Sequence, residues 1–529
     1  MDSLESPSPP CPPGPPPSSL RISPTASPAS PTPPAIADTI VDLASDRPAA
    51  TIFGADPGDL RSDLPPLVSG DFNGDSVADI LLGARFGDGP SNRRQDAGEA
   101  YVIFGSPAPL GDIDLAAGEQ DVTIWGADPD DNLGFSAAAA DVNADGIDDI
   151  LVGAPFARDP GDAVSQVGAA YILFGGADLS GSFDLAGSAA DVTVVGPGSS
   201  SFFGDSLASG DVNGDGIADV IVGATFARHA AGAPASPGAT YILFGSRDWP
   251  STLEMAKGEY GAAVYGADDL DELGDTVASG DINGDGVDDI IMTAEAADGP
   301  DNARPVAAEV HVVFGSPRLN GELEISQGDQ DLSVLGADPQ DTLGFALASG
   351  DVNDDGVDDL IMGARGDNGI MNAQNAVGAV YILFGGRDLP SSIDVAQGPA
   401  GLAALYGTDA ADAMAFAVVG DVDGDGVNEL LIGAGSGDGP DNRRRDAGEV
   451  YVLDAPAVAD LEGPLSIADI RLTALIYGAQ EEDRLGTAMA LADIDGDARP
   501  ELLVLAADAD ALGPRLDAGR LFVISLAGS

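Results

Sequence analysis

The stretch GDVNGDGIAD, residues 210–219, decides the fold of this chain. Oxygen-bearing side chains stand at alternate positions, at Asp211, Asn213 and Asp215, and Asp219 closes the stretch. Taken alone, this pattern suits a calcium loop, a catalytic carboxylate cluster or an ordinary acidic turn. Its recurrence along the chain separates these alternatives.

The motif returns at a fixed interval. Its first aspartate occurs seven times, at Asp71, Asp141, Asp211, Asp281, Asp351, Asp421 and Asp493. Five of these intervals measure 70 residues and the last measures 72. A fixed period indicates one supersecondary unit that is copied along the chain.

The unit spanning residues 112–175 contains short apolar or alternating segments with Gly, Asp and Pro between them, and no helix-length pattern. We therefore predict an all-β fold, a seven-bladed β-propeller of four-stranded antiparallel blades. A linear solenoid is the alternative, although 70 residues is long for one solenoid unit. The segment before each acidic loop is built of small residues, which suits strands that converge on a propeller axis.

The two ends of the repeat array predict a closed ring. Residues 39–56 match the outer-strand sequence that the last unit lacks, so we expect residues 39–47 to complete the last blade. The Pro- and Ser-rich residues 1–36 predict a disordered linker or stalk. Residues 37–529 are then the propeller domain.

The composition excludes several classes of function. Asp and Glu number 88 against 22 Lys and Arg, which gives a formal net charge of −66. Nucleic acid is therefore not an expected partner, and neither is an anionic membrane, because both attract clustered basic residues. A single cysteine, Cys11, permits no disulfide within the chain, and two histidines, His229 and His311, leave little material for zinc binding or imidazole catalysis. The hydrophobic content of 44% argues against a disordered acidic chain.

The chemistry of the loop favours calcium. Each loop offers side-chain oxygens at positions 1, 3, 5 and 9 and a backbone carbonyl at position 7, and hard oxygen ligands without nitrogen or sulfur select this ion. An EF-hand would need an acid at position 12, where apolar residues such as Val222 stand. Catalysis would need carboxyls with separated pKa values, and seven identical active sites are not expected. An acidic turn explains one copy of the motif but not seven.

The predicted metal ligands are the first, third, fifth, seventh and ninth residues of each loop. They are Asp71, Asn73, Asp75, Val77 and Asp79; Asp141, Asn143, Asp145, Ile147 and Asp149; Asp211, Asn213, Asp215, Ile217 and Asp219; Asp281, Asn283, Asp285, Val287 and Asp289; Asp351, Asn353, Asp355, Val357 and Asp359; Asp421, Asp423, Asp425, Val427 and Glu429; and Asp493, Asp495, Asp497, Arg499 and Glu501. We thus expect up to seven calcium ions. The first and seventh loops depart most from the pattern, because Ser76 and Ala498 replace the glycine that permits the sharp bend.

At these residues the chain resembles the FG-GAP repeats of the integrin α-subunit head, which also occur in many bacterial surface proteins. The matching segments are LGFSAAAADVNADGIDDILVGAP, residues 133–155, and FGDSLASGDVNGDGIADVIVGA, residues 203–224. The resemblance covers residues 39–529. It implies a seven-bladed propeller with structural calcium in hairpin loops on one face, and with ligands and partner subunits on the opposite face.

Three units depart from the pattern of that family. Met414–Ala415 replaces the Phe–Gly pair in the sixth unit, and Leu64–Pro65 stands there in the first. Thr293–Ala294 replaces Gly–Ala in the fourth unit.

Two loops expected on the ligand-facing side, residues 85–99 and 435–449, are near twins. Their basic residues are Arg93, Arg94, Arg443, Arg444 and Arg445. Arginine clusters suit carboxylate or sulfate ligands. Pairing within the loops would make them structural, and the acidic residues available there are Asp96, Glu99, Asp446 and Glu449.

Residues 365–367 form the tripeptide Arg-Gly-Asp, an integrin-ligand motif. Three-residue motifs arise by chance in loops rich in Gly and Asp, so this match has two interpretations.

The sequence favours a non-enzymatic, calcium-binding propeller that serves adhesion or recognition at a cell surface or outside the cell, with a protein or glycan ligand opposite the calcium loops. An accessory propeller of an extracellular hydrolase or lyase is one alternative, and a purely structural display scaffold is another. We expect export, because such calcium sites usually need extracellular ion levels, although the sequence shows neither a signal-peptide pattern nor a membrane span.

Overall fold

Seven five-stranded β-sheets form the blades of a propeller in the computed structural model, over the residues that it describes. These residues are 37, 39–61, 65–159, 162–187, 189–229, 236–399, 401–459, 461 and 463–526. The predicted all-β class and the seven four-stranded antiparallel blades are confirmed, and each blade gains a fifth, parallel strand at its outer edge. The segment predicted as a linker, residues 1–36, lies outside the described residues.

The blades are numbered along the chain by their innermost strands, which are Leu67–Gly70, Ala137–Ala140, Phe203–Gly210, Leu273–Gly280, Leu343–Gly350, Phe416–Gly420 and Leu485–Ala492. The second strands are Asp79–Ala84, Asp149–Ala154, Asp219–Ala224, Asp289–Ala294, Asp359–Ala364, Glu429–Ala434 and Glu501–Ala506. The third strands are Glu99–Ile103, Ala169–Leu173, Ala239–Leu243, Glu309–Val313, Ala379–Leu383, Glu449–Leu453 and Arg520–Ile524.

The fourth strands, again from the first blade to the seventh, are Val122–Trp125, Val192–Val195, Ala262–Tyr265, Leu332–Leu335, Leu402–Tyr406, Ala474–Tyr477 and Ala50–Phe53. The fifth strands are Gly181–Asp184, Thr252–Glu254, Gly321–Glu324, Ser392–Asp394, Pro464–Ser466, Thr39–Asp42 and Ile113–Asp114. Each unit therefore lends a strand to the outer edge of the blade before it.

The remaining elements are short. Six 3₁₀ turns follow fifth strands, at Leu115–Ala117, Leu185–Gly187, Met255–Lys257, Ile325–Gln327, Val395–Gln397 and Ile467–Asp469. Three more lie between second and third strands, at Pro300–Asn302, Ile370–Asn372 and Pro440–Asn442. Strands Arg158–Asp159 and Asp162–Gln166 form a hairpin in the second unit, and Ala455–Ala459 is an α-helix.

The second strand of each blade is an uninterrupted apolar run because both of its faces are buried. In the third blade, Val220 and Val222 pack in a cluster shared with the second blade. Between them, Ile221 packs in a cluster shared with Ile290 of the fourth blade. Successive side chains of a strand point to opposite sides, so a strand between two neighbouring blades must be apolar at every position.

The innermost strands meet around the axis through a repeated hydrogen bond. The hydroxyl of Ser279 donates to the carbonyl of Ser209 at 2.7 Å, and the hydroxyl of Ser209 donates to the carbonyl of Ala139 at 3.0 Å. The hydroxyl of Ser69 donates to the carbonyl of Leu491 at 3.0 Å, which joins the first blade to the seventh. Small side chains let these backbones approach closely, as the sequence predicted.

The strand that closes the seventh blade is Ala50–Phe53, which pairs antiparallel with Arg520–Ile524. The expectation that residues 39–47 complete this blade was wrong. Thr39–Asp42 lies parallel to Ala474–Tyr477 at the edge of the sixth blade. The physical reason is that residues 39–56 contain two successive edge sequences, and the first takes the place that a fifth strand takes in the other units.

Candidate metal centres and the opposite face

Each acidic loop is a hairpin between the innermost and second strands of a blade, and its own carboxylates hold its backbone. In the third hairpin the carboxylate of Asp211 accepts hydrogen bonds from the backbone N–H of Asp215 at 3.0 Å and of Gly216 at 2.8 Å. The carboxylate of Asp215 accepts one from the N–H of Ile217 at 3.0 Å. The loop thus wraps its backbone around its first and fifth side chains.

This arrangement is repeated in all seven described hairpins. The carboxylate at position 1 accepts from the N–H groups of positions 5 and 6. The N–H at position 7 donates to the carboxylate at position 5. The structure therefore gathers the predicted residues of each copy into one loop.

The closing carboxylate of each hairpin lies in the interior. Asp219 is fully buried and accepts hydrogen bonds from the N–H of Gly245 at 2.8 Å and of Val212 at 3.1 Å. Burial raises the pKa of Asp219 to about 7, and the carboxylates of Asp215 and Asp211 raise it further against the effect of these hydrogen bonds. Burial likewise raises the pKa of the other closing carboxyls to about 7, namely those of Asp79, Asp149, Asp289, Asp359, Glu429 and Glu501.

The donor set fits a hard cation. In the sixth hairpin Asp421, Asp423 and Asp425 each bring a carboxylate oxygen within 4.8 Å of the others, and Asp493, Asp495 and Asp497 do so in the seventh. In the fifth hairpin the buried Oδ1 of Asn353 has no hydrogen-bond donor among the described residues. Crowded carboxylates and an unsatisfied amide oxygen are groups that a calcium ion would neutralise and coordinate.

The two hairpins without the bend glycine keep the same backbone. Ser76 has φ 68° and Ala498 has φ 69°, in the left-handed region where Gly216 has φ 86°. The expected strain is therefore located at these two residues. The side chain of Arg499 lies against Gly424 of the sixth hairpin, where an added Cβ would approach its Cγ to 2.8 Å.

The residue at position 8 links neighbouring hairpins, a role that the sequence reasoning missed. The carboxylate of Asp148 accepts a hydrogen bond from the N–H of Asp71 at 2.9 Å, and that of Asp288 accepts one from Asp211 at 2.9 Å. The amide of Asn428 donates to the carbonyl of Asp351 at 3.0 Å. The signal was the recurrence of Asp or Asn at this position in four of the seven copies.

The conspicuous arginines are tied mainly to distant aspartates. Arg94 Nη2 donates to Asp184 at 2.5 Å, and Arg444 Nη1 donates to Asp42 at 2.7 Å. Both partners end fifth strands, so these pairs fasten the blade edges. Within its own loop, Arg445 Nη1 donates to Asp446 at 3.1 Å.

The Arg-Gly-Asp tripeptide does not display its carboxylate. Asp367 is 4% exposed and accepts hydrogen bonds from the hydroxyl of Tyr381 at 2.6 Å and from the N–H of Gly369 at 2.8 Å. The guanidinium carbon of Arg365 lies 4.1 Å from the ring centre of Phe345. The structure favours a chance match over a recognition motif.

The face opposite the hairpins holds an axial cavity of about 580 Å³, to which all seven blades contribute, from Val68 in the first to Met489 in the seventh. Phe156 packs edge-to-face on Phe202 at 5.0 Å between ring centres, and Phe202 packs on Phe226 at 5.1 Å. The third and fourth blades place carboxyls in the same cavity, and burial raises the pKa of Asp275 to about 8.

Comparison with known proteins places these features in a family. The FG-GAP repeat model matches residues 67–103, 133–173, 203–243, 273–308, 343–383 and 414–453. These segments cover the first three strands of blades one to three, five and six, and most of those of blade four. The chain is an integrin-like FG-GAP repeat protein.

Similar curated proteins fall into two groups. The chain is 33% identical over 238 residues to integrin alpha pat-2 of Caenorhabditis elegans, covering 43% of the chain and 17% of the relative. It is 30% identical over 250 residues to integrin alpha-PS2 of Drosophila melanogaster, covering 46% of the chain and 16% of the relative. It is also 32% identical over 162 residues to the phosphatidylinositol-glycan-specific phospholipase D of Bos taurus, covering 30% of the chain and 18% of the relative. The matches thus span about a fifth of the length of these relatives.

The described part of the chain contains no helix that is both long and apolar enough to cross a membrane.

Proposed function

We propose that this protein is a non-enzymatic, calcium-binding β-propeller that serves as an adhesion or recognition module at a cell surface or outside the cell. In this proposal the ions occupy the seven hairpins and stabilise the blades. A protein or glycan ligand binds the opposite face.

The observation that carries the proposal is the distribution of exposed apolar side chains. Seven of the eight large apolar side chains that are exposed among the described residues lie on loops opposite the hairpins. They are Phe86, Leu270, Val306, Ile370, Met371, Leu512 and Leu516. Exposed apolar groups gathered on one face of a strongly acidic molecule are typical of a binding surface.

Calcium would act in the hairpins by replacing protons on the closing carboxylates. The residues at positions 1, 3, 5 and 9 of each loop would hold the ion, together with the carbonyl at position 7. An ion bound there supplies positive charge to a site where buried carboxyls otherwise favour their neutral form. Each hairpin would then fix the innermost strand against the second strand of its blade.

Ligand binding is tested by probing glycan arrays and immobilised extracellular-matrix proteins with the full chain, in calcium and after its removal. We expect a calcium-dependent ligand whose affinity falls about tenfold or more in the variant Met371→Ser/Leu516→Ser. Met371 is 94% exposed and Leu516 is 61% exposed. The control is Ile40→Ser, which changes a 60% exposed apolar residue on the edge of the sixth blade. An equal loss in both variants would contradict the assignment of the face.

The second candidate is an accessory propeller of an extracellular hydrolase, which the similarity to phosphatidylinositol-glycan-specific phospholipase D favours. Incubation of the full chain with a glycosylphosphatidylinositol-linked reporter protein separates the two functions. Release of the reporter would establish a hydrolase activity. Calcium-dependent binding without release supports the recognition module.

A further inference from the structure

The axial cavity has an acidic sector that breaks the symmetry of the repeats. Asp205 and Asp275 stand near the start of the third and fourth innermost strands, at the position of Phe135 in the second blade. Glu295 directly follows the second strand of the fourth blade, where the first blade has Arg85. The acidic residues are thus specific to one pair of blades, unlike the hairpin carboxylates.

Three of these carboxylates converge on one point. Glu272, Asp275 and Glu295 each bring a carboxylate oxygen within 4.8 Å of the other two. Two oxygens bound to one calcium ion at about 2.3–2.6 Å each can lie no more than about 5 Å apart, so this spacing fits a shared ion. Two elements supply the three groups, since Glu272 and Asp275 lie together and Glu295 ends the neighbouring strand.

Two unsatisfied oxygens face the same space. Thr225 is 3% exposed, and its hydroxyl has no hydrogen-bond partner within the described parts of the chain. The buried Oδ1 of Asp205 lacks a donor in the same way, although its Oδ2 accepts from the N–H of Thr225 at 3.4 Å. Both residues line the axial cavity together with Glu272 and Asp275. Buried oxygens without partners are costly unless a ligand satisfies them.

We propose that Glu272, Asp275 and Glu295 hold a divalent cation, calcium, at the mouth of the axial cavity. Asp205 and Thr225 complete the oxygen donors from the adjacent blade. Carboxylate and hydroxyl oxygens without nitrogen or sulfur suit calcium rather than a transition metal. The ion would join the third and fourth blades on the face opposite the hairpins, and this site is independent of the repeated motif.

A crystal of the full chain soaked in Mn²⁺ locates the site by anomalous scattering. We expect a peak bonded to Glu272, Asp275 and Glu295. The double variant Asp275→Asn/Glu295→Gln should lose this peak and keep those in the hairpins. Hairpin peaks without a peak at the cluster would overturn this inference and leave the proposed function intact.

A count of bound calcium tests the inference in solution. After gel filtration in calcium, Asp275→Asn/Glu295→Gln should carry one ion fewer per chain than the unmodified protein. The control Asp248→Asn/Glu481→Gln removes the same two charges from exposed residues and should carry the full number. Equal counts in both variants would show that the carboxyls share protons rather than a metal ion. If the first variant fails to fold, the soaked crystal of the unmodified chain decides the question.

Discussion

Replacing the closing carboxylate of one hairpin should separate the contribution of the ion from that of the loop. Asp219 accepts four hydrogen bonds, from the N–H of Gly245 at 2.8 Å, of Val212 at 3.1 Å and of Asn213 at 3.2 Å, and from the amide of Asn213 at 2.9 Å. The variant Asp219→Asn keeps the shape of the side chain, removes its charge and leaves some of these donors without an acceptor.

Two effects oppose each other when calcium is absent. Each buried donor left unsatisfied costs about 1–3 kcal/mol, whereas loss of a buried charge among like charges is favourable. We therefore expect the free energy of unfolding of Asp219→Asn to lie within about 2 kcal/mol of that of the unmodified protein in calcium-free buffer.

Calcium should widen this difference. An ion at 100 times its dissociation constant stabilises the folded state by about 2.7 kcal/mol per site. The variant loses this contribution at one hairpin, so its free energy of unfolding in calcium should fall short by about 2.7 kcal/mol more than in calcium-free buffer.

Urea denaturation in both buffers measures the four free energies. The control Asp248→Asn removes one exposed carboxylate and should change stability equally in both buffers. If Asp219→Asn also changes stability equally with and without calcium, the third hairpin does not bind the ion.

Three further outcomes are expected. Ser76→Gly and Ala498→Gly should each raise the free energy of unfolding by about 1 kcal/mol, because they relieve a left-handed φ; urea denaturation checks this, and unchanged values would contradict it. Arg444→Gln should lower stability by about 1–2 kcal/mol, since it breaks the paired contact with Asp42 that fastens the N-terminal strand, and trypsin cleavage near residue 47 should become faster. Without calcium, stability should fall as the pH rises from about 4 to 7, because the raised pKa of groups such as Asp289 lets the folded state bind more protons in that window. Melting temperatures at pH 5 and 7.5 test this, and saturating calcium should reverse the trend.

The period, the blade number and the hairpins were predictable from the sequence because they are local and repeated. An apolar run such as residues 219–224 identifies a strand buried on both faces, and the spacing of Asp211, Asn213 and Asp215 identifies its loop. Closure was predicted in kind but not in register. Residues 39–42 and 50–53 both have edge-strand sequences, and only the pairing across the ring assigns each to its blade.

Contacts between units were beyond the reach of the sequence pattern. Arg94 lies 90 residues from its partner Asp184, with nearer acids available at Asp96 and Glu99. The acidic sector of the axial cavity combines residues from two units whose proximity follows from the ring alone. Repeats reveal what each unit shares, whereas these contacts depend on where the units differ.

The position 8 hydrogen bonds bear on how the hairpins would fill with ions. They connect the first hairpin to the second through Asp148, and the third to the sixth through Asp288, Asp358 and Asn428. Ala218 and Pro500 have no side-chain acceptor to continue the series. An ion that orders one loop would thereby order the first ligand of the next, so calcium uptake would be cooperative within a pair and within a run of four. The binding isotherm would then show separate steps rather than seven independent sites, and its Hill coefficient would report the length of the longer run.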